Sequence, residues 1–202
     1  MCGVGVISYI YLMSYMKDLL LKNRSYRRFD QSKSVATELL REMVDAARLS
    51  PSAKNIQPLR YMLFNEPADC AKIFPTLAWA GYMKDWDGPE QGERPSAYII
   101  QLADLNLAEQ WWCDDGIAIQ SMLLTAVEAG FGGCIVASVQ REKLRTLMQV
   151  PGQYKIIQVL ALGLPAEKVV LDPIKDGDVC YYRAPDDVHH VPKRSLEDLI
   201  VS

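Results

Sequence analysis

Two short stretches carry the side chains best suited to holding a charged ligand. In Asn23-Arg24-Ser25-Tyr26-Arg27-Arg28-Phe29, Arg24 and Arg27, with Arg28 beside them, can present guanidinium forks to phosphate oxygens, and Ser25 adds a hydroxyl. In Ser50-Pro51-Ser52-Ala53-Lys54-Asn55-Ile56-Gln57-Pro58, the side chains of Ser52, Asn55 and Gln57 lie between two prolines that limit the loop's freedom. A hydroxyl and two amides held this way can meet the polar edge of a planar heterocycle. Each stretch has a plainer alternative: a solvated basic turn pairing with Asp30 or Glu38, and an ordinary helix-to-strand turn.

Other reactive residues point to less. His189-His190 have no further His and no suitably spaced acidic or Cys partner, so they read as tail surface and no metal site is expected. Asp114-Asp115 beside a helix read as capping or solvated acids, or as one half of a salt bridge. Cys113 and Cys134 read as packed thiols, and Trp111-Trp112 as core or subunit interface.

The chain of 202 residues is 50% apolar, enough for one substantial core, and its net charge of −3 gives no field to gather nucleic acid or an anionic membrane. Basic residues must therefore act locally. Five widely spaced cysteines without a C-x-x-C pair fit a reducing cytosol, and a cytoplasmic location is expected. Residues 1–15 are apolar but lack the charge and length of a leader or a membrane span, and read as an extension ahead of a single domain over 16–202.

The elements that must position these residues follow from periodicity. Met16, Leu19 and Leu20 predict a short helix delivering the arginines, and Ser34 is placed to cap a second helix striped by Val35, Leu39, Met43, Val44, Ala46 and Ala47. Leu59 to Phe64 is a strand bounded by Pro58 and Pro67, with a helix expected from Ala68 to about Leu77. Glycines, prolines, charges and aromatics make residues 79–95 a mobile surface loop, and Ser96 to Ala103 reads as a buried strand. From Leu107 to Gly130 a helix apolar on nearly every face is expected to bury itself in the domain centre or against a second subunit, the dimer being favoured. A strand from Cys134, a helix from Gln140, a strand from Tyr154 to Leu162, a polar tail and a short helix from Ser195 complete an α+β sandwich.

The pattern Arg24-Ser25-x-Arg27-x-Phe29, then Pro51-Ser52-x-x-Asn55-x-Gln57-Pro58, then Gly130-Phe131-Gly132-Gly133-Cys134-Ile135, then Gly163-x-Pro165, resembles the FMN-dependent nitroreductase family. That resemblance implies a mostly antiparallel central sheet flanked by helices. It also implies a homodimer with FMN at the subunit interface and each sheet extended by the partner's C-terminal segment. By position, Arg24, Ser25 and Arg27 match the first FMN segment, with Arg27 near the pyrimidine edge of the ring. Ser52, Asn55 and Gln57 match the second, partly facing the partner's flavin; Gly133, Cys134 and Ile135 match the strand against the ring; Lys193 and Arg194 match the basic pair on the phosphate.

The implied activity is reduction of nitroaromatics, quinones or similar conjugated acceptors by NADH or NADPH in a ping-pong cycle, with Trp79, Tyr82 or Trp86 stacking on flat substrates or stapling the loop to the core. The flavin carries the chemistry, leaving Arg27 as its electrostatic tuner. A flavin-storage protein, or an enzyme acting on the flavin or on haloaromatics, are the alternatives on the same fold. The chain departs from the family at Asn23, where Arg is frequent, leaving Arg28 or Lys193 to compensate. The Gly-Gly-Cys block also lacks an acid found in some members, whose substrate preference is therefore not carried over.

Overall fold

The computed structural model describes residues 15–201, so the expected extension over 1–15 lies outside the described residues except for Tyr15. Helical backbone over residues 15–22 (α1) runs beside a later helix: the Tyr15 hydroxyl bonds Glu128, and just past α1 Asn23 Nδ2 donates to Gln120 Oε1 at 3.3 Å.

Strand β1 (Phe29–Asp30) precedes α2 (Thr37–Leu49), whose buried stripe Leu39, Leu40, Met43 and Ala47 follows the predicted spacing. Its N-cap is Ala36, with no side-chain cap, so Ser34 does not serve there. Strand β2 (Leu59–Phe64) has the expected bounds, and α3 (Pro67–Ile73) passes into a single tight turn at Phe74–Thr76. Residues 79–95 hold no helix or strand, but Phe29 and Gln31 donate backbone bonds to Glu93 and Gly92 at 2.9 and 3.0 Å and tie down the loop's end. Strand β3 (Ala97–Asp104) is buried along almost its whole length.

Helix α4 (Asp114–Glu128) starts seven residues later than the apolar run predicts, because Trp112 sits at φ 48° and breaks the helical path. Trp112 is exposed, so it is not core of this chain, and Cys113 is exposed too. Strand β4 (Gly132–Val136), α5 (Arg141–Met148) and β5 (Tyr154–Pro165) follow. The polar tail holds three strands not foreseen in the sequence, β6 (Val169–Pro173), β7 (Tyr182–Arg183) and β8 (His189–Lys193), and no helix forms from Ser195.

All pairings in the main sheet are antiparallel, with β5 at its centre: β3 and β4 both pair along it, β1 meets its end, and β2 pairs with β3 at the open edge. The tail forms a second sheet, β8 between parallel β6 and antiparallel β7. Alternation along β3 sends Ala97 and Ile99 to the face covered by α2 and α4, and Tyr98, Ile100 and Leu102 to the face covered by α3, α5 and Trp79. This is the expected α+β sandwich, with a small tail sheet added.

Candidate cofactor site

The first arginine segment and β4 lie side by side. Ser25 bridges to Gly133, and the Tyr26 N–H donates to the Gly133 carbonyl at 3.1 Å. Two glycines permit this approach: a Cβ on Gly132 would fall 2.5 Å from Tyr26 Cδ2, and one on Gly133 would fall 2.7 Å from the Ala161 oxygen. Behind the segment lies Glu167, its side chain only 1% exposed. Its Oε1 accepts the Arg27 N–H and, at 3.1 Å, the Arg28 N–H, while Oε2 takes Arg183 Nη2 at 2.6 Å. The carboxylate thus pins the backbone of Arg27 and Arg28, and Arg183 compensates its buried charge.

The result is a cavity of about 310 Å³ lined by Arg24, Ser25, Arg27, Gly133, Ile135 and Lys193, all of them foreseen. No carboxylate lines it. Among the described residues neither Arg24, Arg27 nor Lys193 has an acidic partner within ion-pair distance; Asp30 binds Ser32 instead. Arg24 donates Nη2 to the Leu20 carbonyl at 2.6 Å, its Nε is buried without a partner, and burial pulls its pKa below the usual guanidinium value. Arg28 is already neutralised by Glu93 at 3.2 Å and Asp187 at 2.8 Å, so of the two candidates to stand in for the arginine missing at Asn23, only Lys193 faces the cavity. Arg194 is exposed and lines neither this cavity nor the one beside it.

Two tail residues complete the wall. His189, expected on the surface, is 1% exposed. Burial, with the charges of Arg27 and Arg183, holds its pKa down at about 4 against the pull of Glu167, so the ring is neutral at pH 7. Arg27 Nη1 lies 3.3 Å from His189 Nε2 and 3.2 Å from the Ser25 carbonyl, and its guanidinium rests 4.9 Å from the Tyr181 ring centre. Neither Glu167, Tyr181 nor His189 carried a signal in the local sequence; each is recruited by the tail sheet folding back.

A second cavity of about 170 Å³ shares Arg27, Ile135 and Tyr181 with the first and adds Trp79 and Cys134. Burial pushes the Cys134 thiol up, in keeping with a packed, unreactive cysteine. Of the loop aromatics, Trp79 is buried, Trp86 is half-buried against the core, and exposed Tyr82 meets Tyr181 edge-on at 4.9 Å.

Ser52 and Gln57 are not brought to the arginines within this chain. They line a different cavity of about 310 Å³ beside Tyr61 and Asp114, and Asn55 lines neither. The Ser52 hydroxyl donates to Asp114 Oδ2 at 2.6 Å and accepts the Gln57 N–H at 3.0 Å, while Ala53 N–H donates to Asp114 Oδ1 at 2.9 Å. Asp114, buried at the start of α4, therefore anchors a loop in which Lys54, Asn55 and Gln57 all hold positive φ.

Comparison with known proteins agrees with this architecture. The family model described as the nitroreductase family matches residues 20–82 and 100–164, and the chain belongs to that family. A protein of Thermus thermophilus named NADH dehydrogenase is 27% identical over 180 residues, covering 75% of this chain and 87% of its own. A Methanothermobacter thermautotrophicus protein provisionally named NADH dehydrogenase/NAD(P)H nitroreductase is 29% identical over 161 residues, covering 77% and 80%. The structure of an FMN-dependent nitroreductase from Clostridium difficile shares the fold, with a TM-score of 0.62 at 21% identity over 74% of this chain and 87% of that one.

Proposed function

We propose that the protein is an FMN-dependent oxidoreductase that takes electrons from NADH or NADPH and passes them to nitroaromatics, quinones or similar conjugated acceptors. One observation carries the reading: three cations, Arg24, Arg27 and Lys193, face a single cavity that has no acid to neutralise them. Desolvated guanidinium groups without a counter-charge fit an anionic ligand, and the orphaned Arg24 Nε is a donor awaiting one. The apolar wall formed by Leu123, Val169 and Val191 fits the planar part of FMN.

FMN bound there would supply the redox chemistry itself. Arg24 and Lys193 would hold its phosphate, and Ser25 would add a hydroxyl. Arg27 would place positive charge where reduction builds up negative charge, lowering the cost of that charge. Gly133 and Ile135 would support the ring, and donor and acceptor would use the adjoining space beside Trp79 in turn, which is the basis for a ping-pong pattern. The 79–95 loop is proposed as the cover of that space.

The working unit is proposed to be a homodimer with each flavin at the subunit interface. Among the described residues strand β2 pairs only with β3, and Leu196, Leu199, Ile200 and Val201 leave an apolar C-terminal segment exposed. A partner's tail added along β2 would satisfy both, and would bring the partner's Pro51–Pro58 loop into play. No helix among the described residues is long and apolar enough to cross a membrane. A cytoplasmic location is proposed on the unpaired, widely spaced cysteines of the sequence.

Steady-state oxidation of NADH and NADPH by the purified protein, with menadione or a nitrobenzoate as acceptor, tests the activity. Parallel initial-rate lines are expected. Absence of turnover with both donors by flavin-loaded protein would turn the reading towards storage. Light scattering on the eluting protein should give twice the chain mass, and a monomer would remove the shared site.

A further inference from the structure

A fourth cavity, of about 380 Å³, lies apart from the arginine site, between α3 and the end of the 79–95 loop. Its walls include Gln31, Phe74, Gln91, Arg94, Ser96 and Tyr98, and no aspartate or glutamate lines it. Arg94 has no acidic partner among the described residues; its guanidinium lies 4.2 Å from the Phe74 ring centre, and Nε reaches only the Pro89 carbonyl at 3.5 Å. Tyr98 is 0% exposed, and its hydroxyl and that of Ser96 are both buried without a hydrogen-bond partner. Arg94 and Cys70, which also line the cavity, act electrostatically on that phenol. Gln31 spends its carbonyl on the Gly92 N–H at 2.7 Å, leaving its amide as a donor.

Buried hydroxyls are seldom left unpaired, because they lose their bonds to water and gain none in return. A lone guanidinium stacked on an aromatic ring has its fork free for a planar oxyanion. Cys70 is no candidate for chemistry here: burial pushes its thiol up to about 11, so it stays protonated at pH 7. The volume lies within the range of small-molecule sites, roughly 300–1,000 Å³.

We infer that this cavity is a second ligand site, one that binds a small organic oxyanion, a carboxylate or phosphate monoester with an apolar body. Arg94 receives the oxyanion, Tyr98 and Ser96 bond its polar atoms, and Phe74 packs the remainder. Phe74 in turn lies 5.8 Å, ring centre to ring centre, from Trp79, which lines the space proposed for substrates. A ligand on Arg94 therefore bears on both ends of the 79–95 loop. The inference stands whether or not the arginine cavity holds a flavin.

Calorimetric titration of the full-length protein in phosphate-free buffer, with benzoate in one arm and inorganic phosphate in the other, tests it. Saturable binding of either anion is expected, weakened at least about tenfold in Arg94→Gln with flavin content unchanged. Benzoate alone would assign a carboxylate ligand, and phosphate alone a phosphate ester. Should Arg94→Gln not fold, exposed Gln91→Glu places a negative charge at the rim and is expected to weaken binding in the same sense. No saturable binding of either anion up to about 10 mM, or binding untouched by both substitutions, would overturn the site.

Discussion

Arg27 and His189 meet through Nη1 and Nε2 at 3.3 Å, and this contact fixes the state of the imidazole. A guanidinium can only donate, so Nε2 accepts and the ring proton resides on Nδ1, which is buried without a partner. With its pKa held at about 4, His189 stays neutral in the fold where an unfolded chain would begin to protonate it near pH 6.5.

Between those values the unfolded state binds more protons than the folded one, so stability is lost as pH falls from about 6.5 towards 4. Urea denaturation at pH 7 and pH 5 should show a loss on the order of 1–2 kcal/mol from this group. His189→Gln, which keeps an acceptor near Arg27 but does not titrate, should flatten the slope. Equal pH dependence in the two proteins would contradict the assignment.

Glu167→Ala removes the acceptor for the N–H groups of Arg27 and Arg28 and leaves Arg183 only Asp187, through its carbonyl at 3.0 Å and its carboxylate at 3.4 Å. Loss of one partner from a buried ion pair costs about 3–5 kcal/mol. Thermal unfolding should report it. Glu167→Gln retains a carbonyl for the backbone and should cost less, so equal midpoints for both variants and the parent would show that the latch carries no load.

Asp114 holds a loop whose backbone is strained at Lys54 and Gln57. Asp114→Ala should lower stability by about 1–3 kcal/mol and make residues 51–58 the first site of limited proteolysis. Cleavage at an unchanged rate in the variant would show that the strain is maintained by something other than this carboxylate.

How much of this was legible in the sequence depended on whether the cause was local. Strand β2 has the bounds read from the sequence because Pro58 has no N–H to give the ladder and Pro67 opens α3. The gathering of Arg24–Arg27 with β4 is implied only by the family resemblance, which sets both segments around one flavin; the fold supplies the reason glycines stand at 132 and 133, their contact with Tyr26 and Ala161. The tail sheet is hidden: β6 ends in Pro173, β8 carries Pro192 just before its last residue, both hold polar residues, and their pairing is a long-range event. His189 looked like surface for the same reason, since its burial is created by Tyr181 and the arginine segment, not by its neighbours in sequence. Asp114 looked like an ordinary helix-start acid, and only the fold reveals that it serves the distant Ser52 loop.

Arg24 and Lys193 are proposed to hold the phosphate of FMN while Arg27 faces its ring. The most direct test is the visible spectrum of the purified protein, with the cofactor released by denaturation and identified by mass, beside that of Arg24→Ala. A yellow protein carrying FMN is expected, with a variant that retains far less of it at equal stability. A colourless parent protein that fails to bind added FMN, or an Arg24→Ala variant that retains FMN as fully as the parent, would contradict it.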